Sequence, residues 1–260
     1  MVKTRKFFKG AYLGLLLLFL YAPIGVMITL SFNASKSRAK WGGFSLRWYE
    51  KLAESSAILD ALWLTLTIAV VATIVATLLG TLAAIGIHAM KRRPANLLMN
   101  VAYLPMTTPD IVTGVSMMLL FVFVNMPLGF WTMLIAHIAF DTPYVLFSVM
   151  PKLKQMNVNL YEAALDLGCT PLKAVWKVIV PQIMPGVVTG ALLSFTMSLD
   201  DFVISYFTSV TDNNLSMIIY SAARKGIEPT IYALSTLMFI AVLTLLLIIN
   251  KRASLTNVAG

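Results

Sequence analysis

The segment VNLYEAALDLGCTPLKAVWKVIVP, residues 158–181, reads as helix, turn, helix. Leu160, Ala163, Ala164 and Leu167 recur at i, i+3, i+4 and i+7, which draws one apolar stripe along a helix. Gly168 follows the last of them, where a left-handed residue ends a helix without a Cβ clash. Thr170 and Pro171 then supply an N-cap and a proline at the first helical position. Pro181 removes a backbone donor and is expected to close the second helix. The whole stretch from Pro151 to Gln182 is too polar to cross a membrane and too long for a tight connection. Its amphipathic hairpin must bury its stripe against something, and the flanking loops are too short to cover it.

Everything around this hairpin is apolar. Hydrophobic residues make up 59% of the chain and charged ones 12%, against about 45–50% and about 25% in a soluble domain. That composition indicates an integral membrane protein. A spanning helix takes about 20 apolar residues, and six segments qualify: Ala11–Phe32, Ala61–Met90, Ala95–Asn125, Leu128–Met150, Ile183–Ser209 and Ile231–Asn250. The first follows MVKTRKFFKG, but its run of about 22 apolar residues exceeds the roughly 7–15 of a signal peptide, and no A-x-A site follows. It reads as an uncleaved span.

A net charge of +9 would suggest nucleic acid or anionic lipid in a soluble protein. Here the charges fall between apolar segments rather than in one patch, so the partner is the lipid bilayer and no nucleic acid is expected. Six spans put both termini on one side. Placing them in the cytosol leaves Lys36, Arg38, Lys40, Arg47, Lys51, Arg224 and Lys225 outside, seven of 20 basic residues. The MKRRP cluster and the basic N-terminus satisfy the positive-inside rule; the first outer loop, with five of those seven, dissents. Cys169 is the single cysteine, which excludes an intrachain disulfide and a zinc site built on cysteines.

The hairpin carries a specific spacing: Glu162-Ala163-Ala164, three residues, Gly168, nine residues, then Val178-Ile179-Val180-Pro181. With these residues the chain resembles the permease subunits of bacterial ABC importers, whose signature is E-A-A, three residues, G, nine residues, I-x-L-P. Val178 and Val180 are conservative departures from it. The resemblance covers roughly residues 55–250. It implies an all-α membrane protein of six transmembrane helices with a cytoplasmic coupling hairpin, like the type I importer permeases. It divides the chain into an N-terminal span and outer loop (1–54), a five-span core (55–250) holding the hairpin at 151–182, and a cytoplasmic tail (251–260). Glu162, Ala163, Ala164, Gly168 and Pro181 are the residues it implies for coupling to the ATPase. Implied partners are a dimer of ATPase subunits, which would bind ATP and Mg, a second homologous permease, and an extracytoplasmic substrate-binding protein. This chain itself would carry no cofactor. Within the family it is most similar to the spermidine/putrescine branch, through SFNASKS, RWYEKL, TPDIVTG and LSFTMSLDDFVISYF, which implies a polyamine substrate.

The intramembrane acids point the same way on physical grounds. A carboxylate at the middle of a membrane helix costs about 2.5–3.5 kcal/mol, so such groups tend to face a cavity or a partner. Asp110, Asp141, Asp200 and Asp201 lie in the spans, whose interiors contain no Lys or Arg. That lining would repel an anion and favour a cation, with Phe140 and Tyr144 available for cation–π contact. On a helix Asp201 continues a stripe of Gly190, Ser194, Ser198, Ser205 and Thr208, expected to line a wet path together with Asp110, Asp141, Ser198 and Tyr144. Asp200 falls among Leu193, Thr196, Ile204 and Phe207, toward packed protein, and reads as a structural or interface residue that needs a partner from a neighbouring helix.

Capping competes with these readings. Ser198 and Asp201 form an S-x-x-D capping box, so the fifth span is expected to break and restart at Ser198. Thr108, Pro109 and Asp110 form a similar restart in the third. Both roles stay open, because broken helices at membrane depth line cavities. His137 and Asp141 at i, i+4 read as a hydrogen-bonded pair rather than metal ligands, since no third ligand is evident. The chain has no G-x-x-x-x-G-K-[ST], H-E-x-x-H or nucleophile elbow, so neither ATP binding nor catalysis is expected of it. Rival readings are a permease for another small solute, a proton-coupled secondary carrier, and a membrane scaffold whose acids only cap helices.

Overall fold

The computed structural model describes residues 2–157 and 159–258. Twelve helices occur among them: α1 (Val2–Ser31), α2 (Arg47–Glu54), α3 (Ser56–His88), α4 (Arg92–Thr107), α5 (Asp110–Phe123), α6 (Phe130–Gln155), α7 (Asn159–Asp166), α8 (Pro171–Ala174), α9 (Val180–Asp200), α10 (Val203–Thr208), α11 (Leu215–Lys225) and α12 (Pro229–Val258). The expected spans fall in α1, α3, α4 with α5, α6, α9 with α10, and α12. Tyr12–Ser31, Ser56–His88, Phe130–Gln155 and Pro171–Asp200 are each long and apolar enough to cross a membrane. A fifth crossing follows if α4 and α5 count as one span. The described apolar part of α12, Pro229–Thr244, is shorter.

The segment Ala95–Asn125 is not one straight helix. Its two halves meet at 106°. The residue before a proline is driven out of the helical region, and Thr108 before Pro109 adopts φ −80, ψ 145. The sequence located this break but not its angle.

The chain forms two compact units, Met1–Leu59 with Ser221–Gly260, and Asp60–Tyr220. In the first, Asn33 organises the loop after α1. Its Oδ1 accepts from the backbone N–H of Ser35 (3.1 Å) and Gly42 (2.7 Å), and its Nδ2 donates to the carbonyls of Ser37 (3.2 Å) and Lys40 (2.9 Å). Its carbonyl accepts from Trp48 Nε1 at 2.7 Å, which anchors α2.

In the second unit α6 is the central helix, and small residues let its neighbours approach closely. A Cβ on Gly80 of α3 would lie 2.7 Å from Val145 Cβ, and one on Gly190 of α9 would lie 3.0 Å from Val145 Cα. Val145 is thus held between two glycines. Ala69, Ala72, Ala76 and Ala84 continue the seam along α3 and are fully buried.

The hairpin forms at the predicted turn. Gly168 has φ +82; its N–H donates to Leu165 O (2.9 Å) and that of Cys169 to Ala164 O (3.0 Å). These two bonds are the Schellman closure of α7. Thr170 is the N-cap of α8, with Pro171 first in the helix. Pro181 does not close the second leg. The chain runs on through a π turn at Val175–Ile179, with Val180 N–H donating to Val175 O, directly into α9. The wide turn accommodates a proline whose ring would clash with the carbonyl four residues before it. Tyr161, Val175, Ile179 and Ile183 pack on Met150 and Leu153 of α6 and on Ile87 of α3. Leu160, Leu167, Leu172 and Trp176 stay exposed, Leu167 at 86%.

Candidate functional site

The feature that builds the site is the interruption between α9 and α10. It falls at Asp201–Phe202, three residues later than Ser198. Helix α9 ends as Asp201 N–H donates to Met197 O at 3.0 Å. The Asp201 carboxylate then accepts from the backbone N–H of Ile204 (3.2 Å) and Ser205 (2.9 Å). Those are first-turn amides of α10 with no partner inside the helix. Asp201, not Ser198, therefore caps the restart. Ser198 is unable to do so because its hydroxyl is buried 2.7 Å from His137 Nδ1.

His137 projects from α6 into this break. Its Nε2 lies 2.9 Å from Ser205 Oγ and 3.5 Å from Asp201 Oδ2. Asn214, at the start of α11, donates from Nδ2 to Ser205 Oγ (2.7 Å) and Asp201 O (3.3 Å). Its Oδ1 accepts from Met217 N–H at 2.9 Å, the bond of an N-cap. Sequence reasoning missed Asn214, although an Asn just before a helical run was a legible capping signal.

The expected His137–Asp141 pair is absent, because His137 turns to the α9–α10 break instead. Asp141 accepts from Ser194 Oγ at 3.0 Å through Oδ2, and its Oδ1 has no partner among the described residues. Asp141, Ser194, Ser198, Ser205 and Thr208 are all buried. In this chain these residues pack inward, and Gly186 and Gly190 bring α9 close to α6, where a Cβ would stand 2.9 Å from Ser148 O and 3.0 Å from Val145 Cα.

An open cavity of about 370 Å³ lies beside the break. Asp110, Asp200 and Asp201 line it with Phe140, Thr196, Met197, Phe202 and Val203. Asp110 begins α5, and Pro109 rather than Thr108 occupies the capping position. Asp200 is exposed instead of facing packed protein. The helical wheel failed there because α9 ends at Asp200, so Ile204 and Phe207 do not continue its face. Thr196, one turn earlier on the real helix, shares the cavity with it. Tyr144 stands behind the wall, its ring 5.4 Å from that of Phe140. Three carboxylates, two aromatic rings and no Lys or Arg make this lining suited to a cation with apolar stretches. Among the described residues no group of three His, Cys, Asp or Glu side chains could hold a metal ion.

Residues 76–252 match the family model described as binding-protein-dependent transport system inner membrane component. The chain belongs to that family. It is therefore a membrane component of a transport system and not an enzyme. Among its relatives is the spermidine/putrescine transport system permease protein PotC of Haemophilus influenzae, 37% identical over 94% of this chain and 96% of that one. The putrescine transport system permease protein PotI of Escherichia coli K12 is 40% identical, over 86% of this chain and 83% of that one. A chain of a bacterial ABC transporter that imports the acidic polysaccharide alginate shares the fold, with a TM-score of 0.77 at 14% identity and 96% of each chain covered.

Proposed function

We propose that this chain is a permease subunit of an ATP-driven, binding-protein-dependent importer of polyamines. The observation that carries the reading is the cavity at the α9–α10 break, where Asp110, Asp200 and Asp201 converge with no base among the lining residues. A di- or triamine pairs spaced ammonium groups with carboxylates and lays its methylenes against Phe140, Phe202 and Met197. The relatives named for spermidine and putrescine support that substrate class.

The chain spans the membrane six times with both termini cytoplasmic, an orientation supported by the excess of basic residues on that side. The path runs between this permease and a second, homologous one. An extracytoplasmic binding protein delivers the substrate. Two ATPase subunits bind ATP and Mg, and one receives the hairpin centred on Gly168; the exposed Leu167, Leu172 and Trp176 support an apolar dock. Glu162, Ala163, Ala164 and Gly168 form the docked turn. The helical run Pro171–Asp200 extends about 45 Å at 1.5 Å per residue. It begins at the hairpin and ends on two cavity acids, so a push on the hairpin is delivered at the carboxylates.

The test is uptake of labelled putrescine into vesicles holding the complete complex, competed by spermidine and by a neutral amine analogue. Competition by spermidine and none by the neutral analogue is the expected outcome. Equal competition by both would remove the charge-based reading.

A further inference from the structure

The proposed path leaves His137 without a task. Its two ring nitrogens bond to hydroxyls on opposite sides of the break: Ser198 lies on α9 before it, and Ser205 on α10 after it. One imidazole from α6 therefore staples two helix halves that share no continuous backbone ladder. With the proton on Nε2 every partner is satisfied: Ser198 donates to Nδ1, and Nε2–H donates to Ser205 Oγ, which also accepts from Asn214 and donates to Asp201. His137 is 2% exposed and contributes nothing to the cavity wall.

We propose that His137 is a positioning residue for transport. It acts through Asp201, fixing the angle between α9 and α10 and with it the direction in which that carboxylate points. The inference rests on the assignment of Asp201 to the path, and goes beyond it by naming the group that sets the acid's geometry. Without the imidazole, Ser198 and Ser205 lose their shared partner, and the angle between the halves is left to the bonds of Asp201, Asn214 and Ser216, which hold it less firmly. Asp201 still caps α10 through Ile204 and Ser205. It no longer presents a fixed charge to the cavity.

A double-mutant cycle tests this. His137→Leu, Asp201→Asn and the pair are compared with the native complex in proteoliposomes, at saturating substrate-loaded binding protein. Retention of the ATPase subunits and the melting temperature report assembly. His137→Leu is expected to lower uptake about tenfold, the scale of one buried hydrogen-bond partner lost. On the Asp201→Asn background it is expected to change uptake by less than about twofold, the signature of coupled residues. His137→Gln, with a donor and an acceptor on one amide, is expected to recover part of the loss. Should His137→Leu fail to assemble, Ser198→Ala replaces it in the same cycle, removing the α9 side of the staple alone. Equal losses on both backgrounds, or native uptake by His137→Leu, would overturn the inference while leaving the path assignment intact. Native uptake by Asp201→Asn alone would overturn the path assignment and this inference with it.

Discussion

The carboxylate of Asp201 accepts the backbone N–H of Ser205 at 2.9 Å while lining an acidic cavity. Cap and cavity wall are one side chain, so the two roles that compete in the sequence coexist in the fold. They separate by substitution. Asparagine keeps an acceptor for the α10 amides and loses the charge; alanine loses both. Asp201→Asn is expected to melt close to the native complex and to transport poorly. Asp201→Ala should add about 1 kcal/mol of destabilisation from the lost cap. Thermal melting and uptake, measured side by side, resolve the two.

The glycine seam makes a prediction about packing. Gly190→Val places methyl groups where even a Cβ would stand 3.0 Å from Val145 Cα. The expected cost is about 1–3 kcal/mol, the usual penalty of overpacking. Gly86 on α3 is the control, since nothing lies within 4 Å of a Cβ there. Gly86→Ala should be neutral or stabilising by up to about 1 kcal/mol from helix propensity. Melting curves of the detergent-solubilised complex check both.

At the hairpin, Gly168 has φ +82 and open space around it. Gly168→Leu therefore meets a backbone penalty of about 1–2 kcal/mol rather than a clash. Re-aiming the turn is expected to weaken retention of the ATPase and to abolish ATP-dependent uptake. Retained ATPase together with native uptake would count against docking at this turn.

The four intramembrane acids should not behave alike. Asp110 and Asp200 line the cavity, whereas Asp141 is fully buried against Ser194. Asp141→Asn keeps an acceptor for Ser194, so its effect on uptake should be smaller than that of Asp200→Asn. A larger loss at Asp141 would move the path into the α6–α9 seam.

Local chemistry was legible in the sequence; relations between helices were not. Gly168, Thr170 and Pro171 announced their turn because left-handed closure and capping depend on a few neighbouring residues. The same rules located the break at Pro109. They failed at Pro181, where a wide turn removed the conflict that was expected to stop the helix. They failed again at Ser198, because its hydroxyl is taken by His137 from sixty-one positions away. Ser194 and Ser198 are both buried, and small polar residues serve close helix packing as readily as a wet path. The contact of Gly190 with Val145 shows the packing use at one point of the stripe. A wheel assumes a helix that continues, so it groups Asp200 with Ile204 and Phe207, whereas α9 ends at Asp200.

Under the proposed function, the carboxylates at the α9–α10 break carry a cation through an ATP-driven importer. Its most direct test is ATP-dependent uptake of labelled putrescine by proteoliposomes holding the whole complex, with Asp200 and Asp201 both changed to Asn. Uptake is expected to fall at least about tenfold, the scale of one lost charge-assisted hydrogen bond, with subunit composition unchanged. Native uptake by that double variant would contradict it.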